Sequence, residues 1–287
     1  MHLFPRIIQR TEVRWTAPSL DSAEPSVYSE PNCRDRDRGE SAMHREHRSW
    51  YSPALGRPMN LMTYGTSGKA MIVFPTSGGR FYEYEDFGMV EAVAPFIEKG
   101  ALCLCTVDSL DNETWLARGK GAAEKVSLHE RYERYVLDEV LPYVHGVLSN
   151  NDRVALTGCS LGAYHAVNFF FRHPDRFDLV VALSGVYDLQ FSVGGALDGG
   201  SYFHSPVHYM AHLTDPRYLD RIREGRLVLC CGQGAWEDES LRDMRTLEGI
   251  ASNKGIPAWF DYWGYDVNHD WPWWRRQMPY FLGKLGF

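Results

Sequence analysis

The chain contains no C-x-x-C pair, no apolar run long enough to span a bilayer and no stripe of basic residues. Each absence removes a class of function. The six cysteines, Cys33, Cys103, Cys105, Cys159, Cys230 and Cys231, lack zinc-ligand spacing and the spacing of a redox pair, so they read as buried free thiols in a reducing compartment. Met1 to Arg10 holds no apolar stretch of secretory-signal length, and a cytoplasmic location is the expectation. Thirty Lys and Arg stand against 37 Asp and Glu, a net charge of −7, so neither nucleic acid nor an anionic membrane is an expected partner. No internal repeat is visible, which sets solenoids and propellers aside.

What is present suits a globular α/β chain. Hydrophobic residues make up 44% and charged residues 23%, enough apolar surface for a sizeable core. Residues 1 to 45 differ from the rest: Pro18, Pro25 and Pro31 lie among polar residues, followed by the alternating charges of Arg34 to Glu40. Such a segment cannot bury enough surface to offset its ordering entropy, and a disordered or extended tail is expected. Met1 and Met43 both stand as candidate natural starts, because the globular pattern begins just after Met43.

From residue 46 to 287 strand patterns alternate with helical ones. His47 to Tyr51 and Met59 to Tyr64 read as an antiparallel pair. Ala70 to Phe74, Leu102 to Val107, Val154 to Cys159, Leu179 to Leu183, Arg226 to Cys231 and Pro257 to Tyr262 read as buried strands. Val90 to Ile97, Leu128 to Val147 with a break near Pro142, Ala163 to Phe171, Leu241 to Ala251 and Trp274 to Leu285 carry helical spacing. This order predicts a mostly parallel central sheet with helices on both faces. Residues 186 to 225 lose periodicity and are rich in glycine and aromatics, as a lid insertion would be.

The segment Gly158-Cys159-Ser160-Leu161-Gly162 follows a strand and precedes a helix. That is the layout of a nucleophile elbow, where a strained serine projects above the sheet between two glycines that permit close packing. Leu161 opens the helix, so its free N–H can point at a developing oxyanion. A serine hydroxyl needs a base, and the base needs an orienting acid, so partners are sought at later strand ends in the order acid, then histidine. One strand ends in Gly232 to Asp238, with two acids, and the next in Trp263 to Asp270, with His269.

The elbow, the Gly232 to Asp238 loop and His269-Asp270-Trp271-Pro272-Trp273-Trp274-Arg275 together resemble the putative esterase family of α/β-hydrolases, with its esterase D, antigen 85 and polyhydroxybutyrate-depolymerase-like branches. The resemblance runs from about residue 49 to the end and implies an α/β-hydrolase fold and a serine carboxylic-ester hydrolase that needs no cofactor. It implies Ser160 as nucleophile, His269 as general base and then acid, and oxyanion donors at Leu161 and at Thr76 or Ser77, with Thr76 favoured by counting from the strand end. The acid is Asp238 or Glu237; the spacing to Leu241 and Asp243 favours Asp238. Trp115 and Trp236 are candidates to line the acyl pocket, with plain packing as the alternative.

An acyltransferase using the same residues is the runner-up, and a non-catalytic binding protein on the same fold is the third reading. The substrate is expected to be a small-molecule or polymeric ester, and oligomeric state is left open. His204, His208 and His212 recur every fourth residue as metal ligands can, yet only Asp215 lies near to complete a set, so no metal is expected. Asp111, Asn112 and Glu113 read as solvated loop residues, and Cys159 as buried packing.

Overall fold

The computed structural model describes residues 43–148 and 152–287. The expected tail, apart from its last three residues, and Cys33 lie outside the described residues. Eight strands among the described residues form one sheet: β1 (Arg45–Ser52), β2 (Arg57–Tyr64), β3 (Lys69–Phe74), β4 (Leu102–Val107), β5 (Val154–Cys159), β6 (Phe177–Leu183), β7 (Arg226–Cys231) and β8 (Ala258–Tyr262). Their order across the sheet is β1-β2-β4-β3-β5-β6-β7-β8. β1 with β2 and β2 with β4 are antiparallel; every later pairing is parallel.

The helices are α1 (Glu83–Asp86), α2 (Met89–Glu98), α3 (Ala122–Tyr135), α4 (Leu141–Leu148), α5 (Leu161–Arg172), α6 (Gln190–Val193), α7 (Gly199–Tyr202), α8 (Pro206–His212), α9 (Pro216–Arg223), α10 (Asp238–Asn253) and α11 (Trp271–Leu285). Alternation along the strands sorts side chains into two cores. In β3, Ala70, Ile72 and Phe74 join the core that holds Tyr132 of α3, Phe169 of α5 and Leu247 of α10. Met71 and Val73 join the opposite core, with Val93 of α2 and Phe281 of α11. A strand that feeds two cores must be apolar over most of its length, which is why β3 to β7 read as hydrophobic runs. Each such large side chain contributes about 1.5–3 kcal/mol by burial.

Parallel strands place their C-terminal ends along one edge, where open α/β sheets bind ligands. The segments after β3, β5, β7 and β8 therefore converge there, and these carry Thr76, Ser160, Glu237 and His269.

One expectation is refined and another corrected. The helix read over Leu128 to Val147 is α3, then a π-helical turn at Val136–Val140, then α4. Pro142 has no N–H to offer the preceding turn, and the wider π turn sits directly before it. The excursion at 186 to 225 is not irregular: it is built from α6 to α9, each too short to print a period in the sequence. Asp198 and Ser201 close a capping box on α7, and Asp215 accepts the Arg217 and Tyr218 amides at the start of α9. His204 precedes α8 and is buried, so the three histidines do not share one helix face. No helix among the described residues is long and apolar enough to cross a membrane.

Candidate active site

Ser160 joins β5 to α5 at φ 56° and ψ −123°, a strained conformation for a residue with a side chain. Packing holds it there. A Cβ on Gly158 would lie 2.3 Å from the backbone carbon of Gly162, and a Cβ on Gly162 would lie 2.3 Å from the carbonyl oxygen of Phe74. Both neighbours are backbone and cannot rotate away. Gly162→Ala is accordingly expected to cost about 3 kcal/mol of stability, read as a lower midpoint in urea unfolding. The Ser160 amide donates to Leu183 O at 2.9 Å, which ties the elbow to β6. No hydrogen bond holds the Leu161 amide among the described residues, and it remains available beside the serine. Cys159 is buried in the core on the other side of the turn, and burial raises its thiol pKa well above the usual value. It packs rather than reacts.

The acid that meets His269 is Glu237. His269 Nδ1 lies 3.0 Å from Glu237 Oε2, and the carboxylate is fully buried. Ser184 Oγ donates to Oε1 at 2.6 Å, the Gly232 amide donates to Oε1 at 3.2 Å and Cys231 Sγ reaches Oε2 at 3.4 Å. Trp274 Nε1 in turn donates to Ser184 Oγ at 3.0 Å, and its ring meets His269 edge-on at 5.1 Å. The expectation of Asp238 is thus overturned: Asp238 is exposed at the first position of α10, where its charge favours the helix terminus. Trp236, at φ 69°, provides the reversal that turns Glu237 inward. Its own side chain is 67% exposed and lines no packed pocket.

The loop after β3 also differs from expectation. The Thr76 amide donates to Glu83 Oε2 at 2.7 Å and the Thr76 hydroxyl to Glu83 Oε1 at 2.7 Å. The favoured oxyanion donor, Thr76, therefore has its N–H directed at a carboxylate. Burial raises the Glu83 pKa, and the two Thr76 hydrogen bonds oppose that shift. One residue on, Ser77 N–H carries no hydrogen bond among the described residues. The Gly78 amide points to Asp111 Oδ2 at 3.4 Å, and Asp111 Oδ1 lies 2.8 Å from His165 Nε2. Asp111, expected as a solvated loop residue, is 1% exposed. Glu113 is held by Arg57 in a two-pronged ion pair.

Trp115 is buried against Leu161, Tyr164, Val126 and Leu189, so it packs directly behind the residue that follows the serine. Nearby, ligand-type atoms of His129, Glu133 and His204 lie within 4.8 Å of one another. Glu133 already accepts from Arg172 at 3.0 and 3.2 Å and pairs with His173 at 2.7 Å. Burial would raise its pKa, but these partners outweigh burial and hold it at about 2. Desolvation, followed by the Arg172 charge, pushes His204 down to about 3. A guanidinium on both carboxylate oxygens opposes a second cation there, so the cluster reads as an ion-pair network and not as a metal centre.

The buried Ser184, Trp274 and Asp111 and the half-buried Glu83 were not anticipated as supports of the site. Only Trp274 carried a signal, through its place five residues after His269.

None of the curated proteins compared matches the chain. A solved ferulic acid esterase superposes at TM-score 0.67 with 18% identity, covering 84% of this chain and 96% of its own. The S-formylglutathione hydrolase FrmB from Staphylococcus aureus gives TM-score 0.64 at 19% identity, covering 86% and 98%. MPT51 (FbpC1) from Mycobacterium tuberculosis gives 0.65 at 15%, covering 85% and 98%. At these identities the likeness establishes the α/β-hydrolase-like fold and no more. The family model described as "Putative esterase" matches residues 52–285, a span that includes Ser160, Glu237 and His269, and the chain belongs to that family.

Proposed function

We propose that the chain is a serine esterase that hydrolyses carboxylic esters through an acyl-enzyme. Ser160 Oγ attacks the ester carbonyl while its proton passes to His269 Nε2. Glu237 accepts from Nδ1–H, fixes the imidazole tautomer and stabilises the imidazolium. The amides of Leu161 and Ser77 receive the oxyanion, a contribution worth about 3 kcal/mol per donor. On collapse His269 returns the proton to the leaving alcohol. Water, deprotonated by the same imidazole, then attacks the acyl-serine and releases the acid. No step needs a cofactor.

One observation carries this reading: a serine at a positive-φ strand-to-helix turn and a buried carboxylate hydrogen-bonded to a histidine arise after β5, β7 and β8, at the same edge of the sheet. A half-buried histidine does not hold a fully buried carboxylate without a reason, since burying that charge is costly. A fluorophosphonate probe should add one phosphonyl group per chain, located by peptide mass spectrometry on the peptide that contains Ser160. Pre-treatment with a short p-nitrophenyl ester should slow the labelling. Native protein that stays unlabelled, or that is labelled at another serine, would refute the proposal.

A further inference from the structure

Glu83 has a place for which the proposed chemistry gives no account. Its carboxylate is tucked beneath the loop at 76 to 79, with both oxygens used by one residue, Thr76. The loop is shaped to admit it: a Cβ on Gly79 would lie 2.5 Å from Glu83 Oε1. On the loop's other side Asp111, itself held by His165, receives the Gly78 amide. The Gly79 amide closes the turn on Thr76 O at 2.9 Å. Successive amides at Thr76, Gly78 and Gly79 thus all have internal acceptors, and Ser77 N–H is the one between them that does not.

A half-buried carboxylate beside a site that must receive negative charge is unfavourable electrostatically. It is accounted for if its hydrogen bonds set the direction of the loop. We propose that Glu83 is a positioning residue: by taking the Thr76 amide and hydroxyl it rotates the 76–79 backbone so that Ser77 N–H faces the oxyanion. This rests on the serine-esterase reading. Glu83 touches no substrate atom in this role. It acts through the peptide units on either side of Ser77, and α1 anchors it from below, where Tyr84 packs edge-on to Trp271 at 6.2 Å.

The test is a comparison of Glu83→Ala, Glu83→Gln and Ser160→Ala with wild type on a p-nitrophenyl ester. Loss of one aligned oxyanion donor lowers turnover by about 10²-fold or more, so Glu83→Ala should lower kcat by that order with KM within about twofold. Its inhibition constant for an alkyl boronic acid, whose tetrahedral adduct needs the same donor, should rise by a similar factor. Glu83→Gln keeps an acceptor for the Thr76 amide and a donor for its hydroxyl, and should recover most of kcat. A simple loss of fold would instead lower the active fraction in fluorophosphonate titration without changing kcat per labelled site. The proposal is overturned if Glu83→Ala keeps kcat within about threefold of wild type, if kcat rises, if Gln is as poor as Ala, or if the boronate constant does not move. Retained activity in Ser160→Ala would sink the esterase reading itself, whatever Glu83 does.

Discussion

Replacing Ser160 by alanine is expected to lower kcat on a p-nitrophenyl ester by about 10⁶-fold, to a residual rate supplied by the oxyanion donors and by binding alone. The size of the effect follows from the arrangement, since without Oγ there is no acyl-enzyme and the imidazole has no positioned hydroxyl to deprotonate. The substitution is sterically mild. Alanine keeps the Cβ at the turn and removes one atom, so the φ of 56° is no worse tolerated than before. The backbone bond from residue 160 N to Leu183 O does not involve the side chain and stays in place. Unfolding midpoints should therefore match within experimental spread while activity and probe labelling vanish together. Activity that persists above about a tenth of wild type would remove Ser160 from the mechanism.

Much of the architecture was legible because a two-faced sheet leaves a plain mark: β3 to β7 are predominantly apolar, with Lys69, Asp178 and Arg226 at or near their N-terminal ends, because both faces are covered. The elbow was legible for a steric reason. Gly158 and Gly162 stand where backbone passes within 2.3 Å of a would-be Cβ, and no other residue fits. His269 was legible by its place after the last strand. The acid was not, because Glu237 and Asp238 are neighbours and only the left-handed turn at Trp236 decides which one points inward. A residue other than glycine at positive φ gives no sequence signal. Thr76 failed for a different reason: its amide is taken by a side chain seven positions later, from a helix too short to be recognised by spacing. The ion-pair network of Glu133, Arg172 and His173 joins residues some 40 positions apart, beyond any local pattern.

Glu237→Gln should lower kcat by about 10⁴-fold, whereas Asp238→Asn should change it by less than about twofold. The contrast follows from the hydrogen bonds and not from charge alone. Glu237 is surrounded by donors: Ser184 Oγ and the Gly232 amide at Oε1, His269 Nδ1 and Cys231 Sγ at Oε2. Glutamine has one acceptor oxygen. The Gly232 N–H can only donate, so that oxygen must face it, and the NH₂ group is turned to His269. Nδ1 must then accept, which moves the imidazole proton to Nε2 and removes the lone pair that Ser160 needs. The imidazole is placed correctly but in the wrong tautomer, so KM should hardly change and kcat should carry the loss. Asp238 is exposed at the start of α10, and its replacement should cost only about 0.3–1 kcal/mol of helix-terminal stabilisation. The larger loss in Asp238→Asn would assign the acid to Asp238, and equal losses would remove Glu237 as the single acid partner of His269.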